Sequence, residues 1–383
     1  MRIAFFTNNY LPNVYGVPMS IETLRKEFES LGHEVFIFAP NYSDYRDSNS
    51  QVFRYPSIDI EIKFRLPLGI PYSRKADKII ENLDLDIIHS HHPNLLGSAA
   101  LRWAKKKNIP LIFTWHTLYD QYTNFVPFLP AKFSANWIIR KAVKYANQSD
   151  VVIVPTESVA PIIQTWGVEK EIISVATGVT EEEFSNSDKN KIREKYGIKK
   201  DEILLLLVSR LTEEKNIHFI FSALADILKE NVKTKFMLVG DGYLLSELKS
   251  KAKMAGLEDK IIFVGVAKRE DIKNYYAAGD VFVYASRSET QGMIITEAMY
   301  VGLPIVAVRA TGIESLVENG KNGILTSEDK TEFISAIKEL IENKSLREKM
   351  AEESTKIAKE RYTAKICAKK MLEVYSQSIK NKK

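Results

Sequence analysis

Residues 203–216 read Ile-Leu-Leu-Leu-Leu-Val-Ser-Arg-Leu-Thr-Glu-Glu-Lys-Asn: six apolar residues, then a charged segment opening a helical pattern that runs to about residue 230. A short unbroken apolar run reads as a strand buried on both faces, and such strands belong to parallel sheets covered by helices. The same sentence repeats downstream. Apolar runs at 236–239, 261–264, 281–284 and 305–308 alternate with helical patterns over 243–254, 270–277 and 292–301. A weak strand near 323–325 and helices over 329–342, 345–358 and 363–379 close the chain. Upstream, runs at 3–6, 35–38, 87–88, 111–113 and 151–154 alternate with helical patterns over 19–31, 95–106 and a long helix ending near Asn147. Between the two series, residues 175–187 are polar, acidic and aperiodic, which suits a hinge. The expected class is α/β with two doubly wound, Rossmann-like domains, an N-terminal one over 1–178 and a C-terminal one over 179–362. Ligands of such folds sit outside the carboxyl ends of the strands, here expected in a central cleft that both domains face.

Composition agrees with two domains. The chain has 383 residues, and a domain takes roughly 150. A hydrophobic content of 45% is enough for two cores and excludes a disordered chain. One cysteine excludes a disulfide scaffold and any all-cysteine metal site, and suits a reducing cytosol. The 54 basic and 49 acidic residues leave +5, and cations so interspersed with acids do not make a nucleic-acid face. The opening MRIAFFTNNYLP is too short in apolar residues for a secretory signal. No run approaches the ~18 apolar residues that span a bilayer. The expectation is a soluble or peripheral protein.

Chemistry should lie on the loops that follow strands. Ser209–Asn216 brings Arg210 and Lys215 to one such loop. A guanidinium can hold phosphate oxygens in pairs, a lysine supplies a mobile charge, and the next helix start adds N–H donors. A diphosphate fits this loop, and so does plain solvated charge. Gly240-Asp241-Gly242 follows the next strand and lets backbone come close to a ligand or simply turn. Ser286–Gly292 leads into a helix carrying Glu297, with Glu289 in the loop itself. Carboxylates are good acceptors for sugar hydroxyls, and the backbone near Gly292 could meet a phosphate.

The stretch Glu289-Thr290-Gln291-Gly292-Met293-Ile294-Ile295-Thr296-Glu297, followed by Gly302-Leu303-Pro304, resembles the paired-glutamate motif of retaining GT-B glycosyltransferases of family 4. Arg210 and Lys215 match that family's phosphate-binding pair, and Gly16-Val17-Pro18 resembles its first-domain glycine loop, although Tyr15-Gly16 stands where two glycines are usual. The resemblance covers essentially the whole chain. It implies that Arg210 and Lys215 clamp a donor diphosphate, that Glu297 takes ribose hydroxyls, and that Glu289 faces the transferred sugar. Backbone at Gln291, Gly292 and Met293 would contact sugar and phosphate, with Gly16 and Gly240 lining the donor site. It also implies that the last helix, 363–383, returns to the first domain. The donor expected is UDP-glucose, with no cofactor and no metal, and the resemblance implies a front-face displacement with retention.

In the first domain His116, in Thr114-Trp115-His116-Thr117, could donate to a sugar hydroxyl or be a satisfied structural histidine; the family assigns the matching histidine to a distal hydroxyl of the sugar. Asp120 could accept from an acceptor hydroxyl or cap a turn. His89, His91 and His92 lack a cysteine or paired carboxylate at ligand spacing, and Asp84-Leu85-Asp86 precedes a strand instead of following it, so no metal site is expected. Residues 60–72 mix Ile62, Phe64 and Leu66 with Lys63 and Arg65. Residues 125–130, with Phe125 and Phe128, run into a helix carrying Trp137, Lys141 and Lys144. Aromatic residues beside cations suit an anionic membrane surface, while core packing of a long helix is the rival. His91–Gly97 with Thr114–Tyr122 is similar to a subgroup that glucosylates diacylglycerol in bacterial membranes, which implies a lipid acceptor and a peripheral enzyme at the cytoplasmic face. A soluble sugar or envelope-precursor acceptor, and a nucleotide-sugar binder without activity, remain the competing readings. Glucose against galactose, the nucleotide and the oligomeric state stay open.

Overall fold

The computed structural model describes residues 1–14, 16–61, 65–121 and 131–382. Tyr15, residues 62–64 (Ile62, Lys63 and Phe64) and residues 122–130 (Phe125 and Phe128 among them) lie outside the described residues, as do the side chains of 59–61, 65, 66, 121 and 131–134. Contacts divide the chain into two compact units, Met1–Thr177 with Ala364–Lys383, and Gly178–Thr363.

In the first unit the strands are β1 (Arg2–Phe6), β2 (Glu34–Pro40), β3 (Val52–Tyr55), the hairpin β4 (Ser57–Glu61) and β5 (Arg65–Gly69), then β6 (Ile87–Ser90), β7 (Leu111–Thr114), β8 (Val151–Val154) and β9 (Ile172–Ser174). Seven of them form one sheet in the order β3-β2-β1-β6-β7-β8-β9, parallel throughout. Side chains alternate between its faces. Ala4, Phe6, Phe36, Phe38, Ile88 and Phe113 pack on one side. Ile3, Phe5, Val35, Ile37, Ile87 and Ile112 pack on the other, where Ile21 and Phe28 meet Ala368, Met371 and Tyr375 of the last helix, Ala364–Lys382. The apolar runs are continuous because both faces are covered.

The second unit carries β10 (Ile203–Val208), β11 (Thr234–Val239), β12 (Ile261–Gly265), β13 (Val281–Tyr284), β14 (Ile305–Val308) and β15 (Gly323–Thr326). These form one parallel sheet in the order β12-β11-β10-β13-β14-β15. The two doubly wound units expected from the alternating pattern are therefore present. In each, the strand order reverses once, between β1 and β6 and between β10 and β13, and the loops leaving those two strands diverge to opposite sides of the sheet. That is where a crevice opens in a doubly wound fold.

The sequence reading missed β3, the hairpin, the short strand β9 and the helices Arg74–Asn82, Val159–Thr165, Glu181–Phe184 and Lys189–Lys195. Residues 57–69 alternate apolar and polar side chains, and the pattern that suggested a surface stretch is equally that of a two-stranded ribbon. Arg74, Lys75 and Lys78, which follow it, lie on the helix Arg74–Asn82, and Ser73 caps its first turn, Oγ accepting from the Ala76 N–H at 3.3 Å.

Candidate functional site

At the β10/β13 switch point the loop after β10 holds Arg210 and Lys215, and the loop after β13 holds Glu289. Lys215 forms a short 3-10 turn, Glu213–Lys215, and its ammonium contacts the Glu289 carboxylate directly. Tyr284, the last residue of β13 and fully buried, donates its hydroxyl to the same Glu289 oxygen. Both charged side chains are mostly shielded from water. Burial works against the Lys215 charge, but the facing Tyr284 and Glu289 outweigh it and hold the ammonium well above the ordinary lysine range. The Arg287 N–H donates to the Glu214 carbonyl at 3.0 Å, so the two loops are also tied through backbone. Arg210 points outward, 54% exposed, with Glu214 as an ion-pair partner at 3.0 Å.

Gly240 is at φ +135°, and a Cβ there would stand 1.9 Å from the Ser209 carbonyl oxygen. The close approach it permits is to the neighbouring loop. Ser209 N–H donates to Val239 at 3.0 Å and Leu211 N–H to Asp241 at 2.9 Å, zipping the loops after β10 and β11 together. Gly292, at φ +77°, begins the helix Met293–Tyr300. Beneath it Gly312 lies so close to the 289–291 backbone that a Cβ would be 2.8 Å from the Thr290 carbonyl carbon. Gln291 is buried and Met293 starts the helix proper.

Glu297, buried on that helix, is bound from two sides. Tyr276 donates to its Oε2 at 2.7 Å and Arg269 Nη1 to its Oε1 at 2.9 Å. Arg269 also pairs with Glu183 at 2.9 Å. Sequence reasoning missed Tyr284, Tyr276, Arg269 and Glu183. Arg269 could have been found, since it follows β12 on a strand-end loop; the tyrosines could not, because their pairing depends on which strands lie side by side.

In the first unit the loops after β1 and β6 meet at the other switch point. Asn8 N–H donates to His92 Nδ1 at 3.1 Å, its side-chain amide to the Asn94 carbonyl at 2.9 Å, and its Oδ1 accepts from Leu96 N–H at 3.0 Å. Gly16, at φ +48°, opens the helix Val17–Ser30, and a Cβ there would meet nothing within 4 Å, so its backbone angle alone asks for glycine. His116 Nε2 lies 3.0 Å from His91 Nδ1, in a stack that continues to His89 with ring centroids 5.3 Å and 4.3 Å apart. His89 is held by Tyr375 at 2.5 Å and Thr114 at 2.6 Å. Burial, reinforced by the neighbouring rings, pushes His91 and His116 well below the usual histidine pKa, and burial takes His89 to about 3. These rings stack face to face and do not converge on a point. Among the described residues no group of three or more His, Cys, Asp or Glu is placed to hold a metal ion.

Asp120 sits exposed on the turn Tyr119–Gln121. The helix Ala131–Ala146 buries Ala135, Ala142, Tyr145 and Ala146 and leaves Trp137 62% exposed, with Lys141 Nζ 5.3 Å from its ring centroid and Lys144 in solvent. Core packing does not account for that tryptophan. Phe125 and Phe128 fall outside the described residues. No helix among the described residues is long and apolar enough to cross a membrane.

Residues 188–357 match the family described as Glycosyl transferases group 1, and residues 14–183 match Glycosyltransferase Family 4. The chain is 33% identical, over 403 aligned residues covering both chains in full, to the alpha-monoglucosyldiacylglycerol synthase of Acholeplasma laidlawii. It is 34% identical to the synthase of the same name from Streptococcus pneumoniae (strain ATCC BAA-255 / R6), over 85% of this chain and 75% of that one. The solved structure of Anabaena Alr3699/HepE in complex with UDP superposes with a TM-score of 0.80 over 98% of this chain and 100% of that one, at 23% identity, which establishes the shared fold. With a full-length relative at this level, two matched family halves and the paired doubly wound units, the chain belongs to the group 1, family 4 glycosyltransferases of GT-B fold and is a sugar-transferring enzyme.

Proposed function

We propose that the protein transfers glucose from UDP-glucose to the free hydroxyl of 1,2-diacylglycerol, giving an α-glucosyl lipid. The observation that carries this is the end-to-end relationship to the Acholeplasma alpha-monoglucosyldiacylglycerol synthase. Arg210 and Lys215 are proposed to hold the donor diphosphate. The bond from the anomeric carbon to the diphosphate oxygen breaks, and the charge that grows on the leaving oxygens is met by these cations and by N–H groups near Gly292. The acceptor oxygen bonds to the same face of the sugar, and its proton passes to the departing phosphate. Glu289 faces the sugar hydroxyls, Glu297 the ribose, and His116 a further sugar hydroxyl. The contact of Lys215 with Glu289 supports this assignment, because it joins a phosphate-type cation to a hydroxyl-type acceptor at a switch point.

Diacylglycerol stays in the bilayer, so the enzyme works at the membrane surface, on its cytoplasmic side. Trp137, with its ring exposed beside Lys141 and with Lys144 one turn on, is suited to headgroups of an anionic lipid. Asp120 is assigned to the acceptor hydroxyl. The test is co-sedimentation with vesicles of phosphatidylglycerol or of phosphatidylcholine, together with glucosyl transfer to diacylglycerol carried in each. Binding and transfer that require the anionic lipid, and weaken in Trp137→Ala/Lys141→Ala, support the reading. Equal transfer to a soluble sugar with no vesicle binding would replace it by a soluble-acceptor enzyme.

A further inference from the structure

Glu297 is held from two sides, by Tyr276 from the interior and by Arg269 from the solvent side, and Arg269 itself matches no part of the family motif. The Glu297 side chain is 8% exposed, whereas that of Arg269 is 46% exposed. A carboxylate offers about four acceptor positions on its two oxygens. Tyr276 occupies one on Oε2 from the interior, and Arg269 occupies one on Oε1. By that count one position on each oxygen is left. Two adjacent hydroxyls of a sugar ring present two O–H donors to match.

The terminal torsion of a glutamate is soft, so the carboxylate plane needs fixing from both ends. Arg269 is itself fixed. Its Nε donates to Glu183 Oε2 at 2.9 Å, and its guanidinium lies 5.5 Å from the Phe184 ring centroid, both on the short helix Glu181–Phe184. The chain of contacts therefore runs from Glu183 through Arg269 to Glu297, ending on the carboxylate assigned to ribose.

We propose that Arg269 is a positioning residue for the nucleotide: by fixing the Glu297 plane it makes the site select a vicinal ribose diol over a deoxyribose. This deepens the ribose assignment of Glu297 and rests on it. Glu183 acts one step further back, through Arg269. A purely structural role, tying the helix Glu181–Phe184 to the domain, would affect stability and leave nucleotide selection alone.

The experiment measures binding of UDP and of 2′-deoxy-UDP by calorimetry to the full-length wild type and to Glu297→Gln, Arg269→Met, Arg269→Lys and Glu183→Gln, with thermal unfolding of each. The wild type is expected to prefer UDP by about tenfold or more, since a buried acceptor built for a hydroxyl is left unpaired by the deoxy ligand. Glu297→Gln and Arg269→Met should each shrink that ratio to about twofold, Arg269→Lys should keep most of it, and Glu183→Gln should fall between. Loss of the ratio in Glu297→Gln but not in either Arg269 variant overturns the proposal while leaving the ribose assignment standing. A ratio near one in the wild type, or one unchanged in Glu297→Gln, overturns the ribose assignment and the proposal with it.

Discussion

Lys215 and Glu289, 74 residues apart in the chain, contact each other across the β10/β13 switch point, and Tyr284 shares the same carboxylate oxygen from below. The pair is a consequence of sheet order. Strands β10 and β13 are neighbours although two strands separate them in sequence, so their outgoing loops end face to face. Removing only the lysine leaves a shielded carboxylate without its cation. Lys215→Ala is expected to cost roughly 3 kcal/mol of stability. The double variant Lys215→Ala/Glu289→Gln should recover much of that in urea unfolding and recover no transferase activity.

Arg210 behaves differently because it is exposed and pairs with Glu214 of its own turn. Arg210→Ala should leave unfolding free energy within about 0.5 kcal/mol of wild type. Donor affinity, read by titration with UDP-glucose, should weaken about tenfold if the guanidinium holds the diphosphate.

A glycine substitution reports on the loop architecture alone. Gly240→Ala would drive a Cβ into the Ser209 carbonyl and impose a left-handed angle on alanine. A loss of about 3 kcal/mol or more is expected in chemical denaturation. Wild-type stability in this variant would mean that the two loops are not zipped as described.

The buried histidines make stability fall in mild acid. Burial lowers His89 to about 3, while the unfolded chain takes up that proton below about 6.5. Between those values the unfolded state binds more protons, so stability is complete above about pH 6.5 and drops as pH falls, by about 1.4 kcal/mol per unit for each histidine kept neutral. His91 and His116, held well below the usual range, and His92, lowered by burial to about 4, add to this. Denaturation between pH 7.5 and 5 should show a shallower slope for His89→Gln than for wild type. Equal slopes would mean that His89 is not held neutral.

The strands were legible because burial on both faces writes an unbroken apolar run, as in Leu204–Leu207, and the helices because their caps and period are local. Local signals also bring Arg210, Lys215 and Glu289 to strand-end loops and Glu297 to the helix that follows one. What each of them touches was not legible. Tyr276 and Tyr284 read as ordinary core aromatics, and only the fold brings their hydroxyls to Glu297 and Glu289. Gly240 was legible as a close-approach glycine, yet the backbone it approaches belongs to the adjacent loop, a fact set by strand pairing. The hairpin at β4 and β5 was lost because alternation of apolar and charged residues looks the same on a ribbon as on a surface patch.

Sugar transfer to a membrane lipid from the site around Lys215 and Glu289 is read by following labelled hexose from UDP-glucose into diacylglycerol in anionic vesicles, with EDTA present. Wild type is expected to form the glucosyl lipid, and Lys215→Ala and Glu289→Ala to lose it by about a hundredfold or more. Lipid product that persists in both variants, or hexose passing only to water or soluble sugars, would contradict the account.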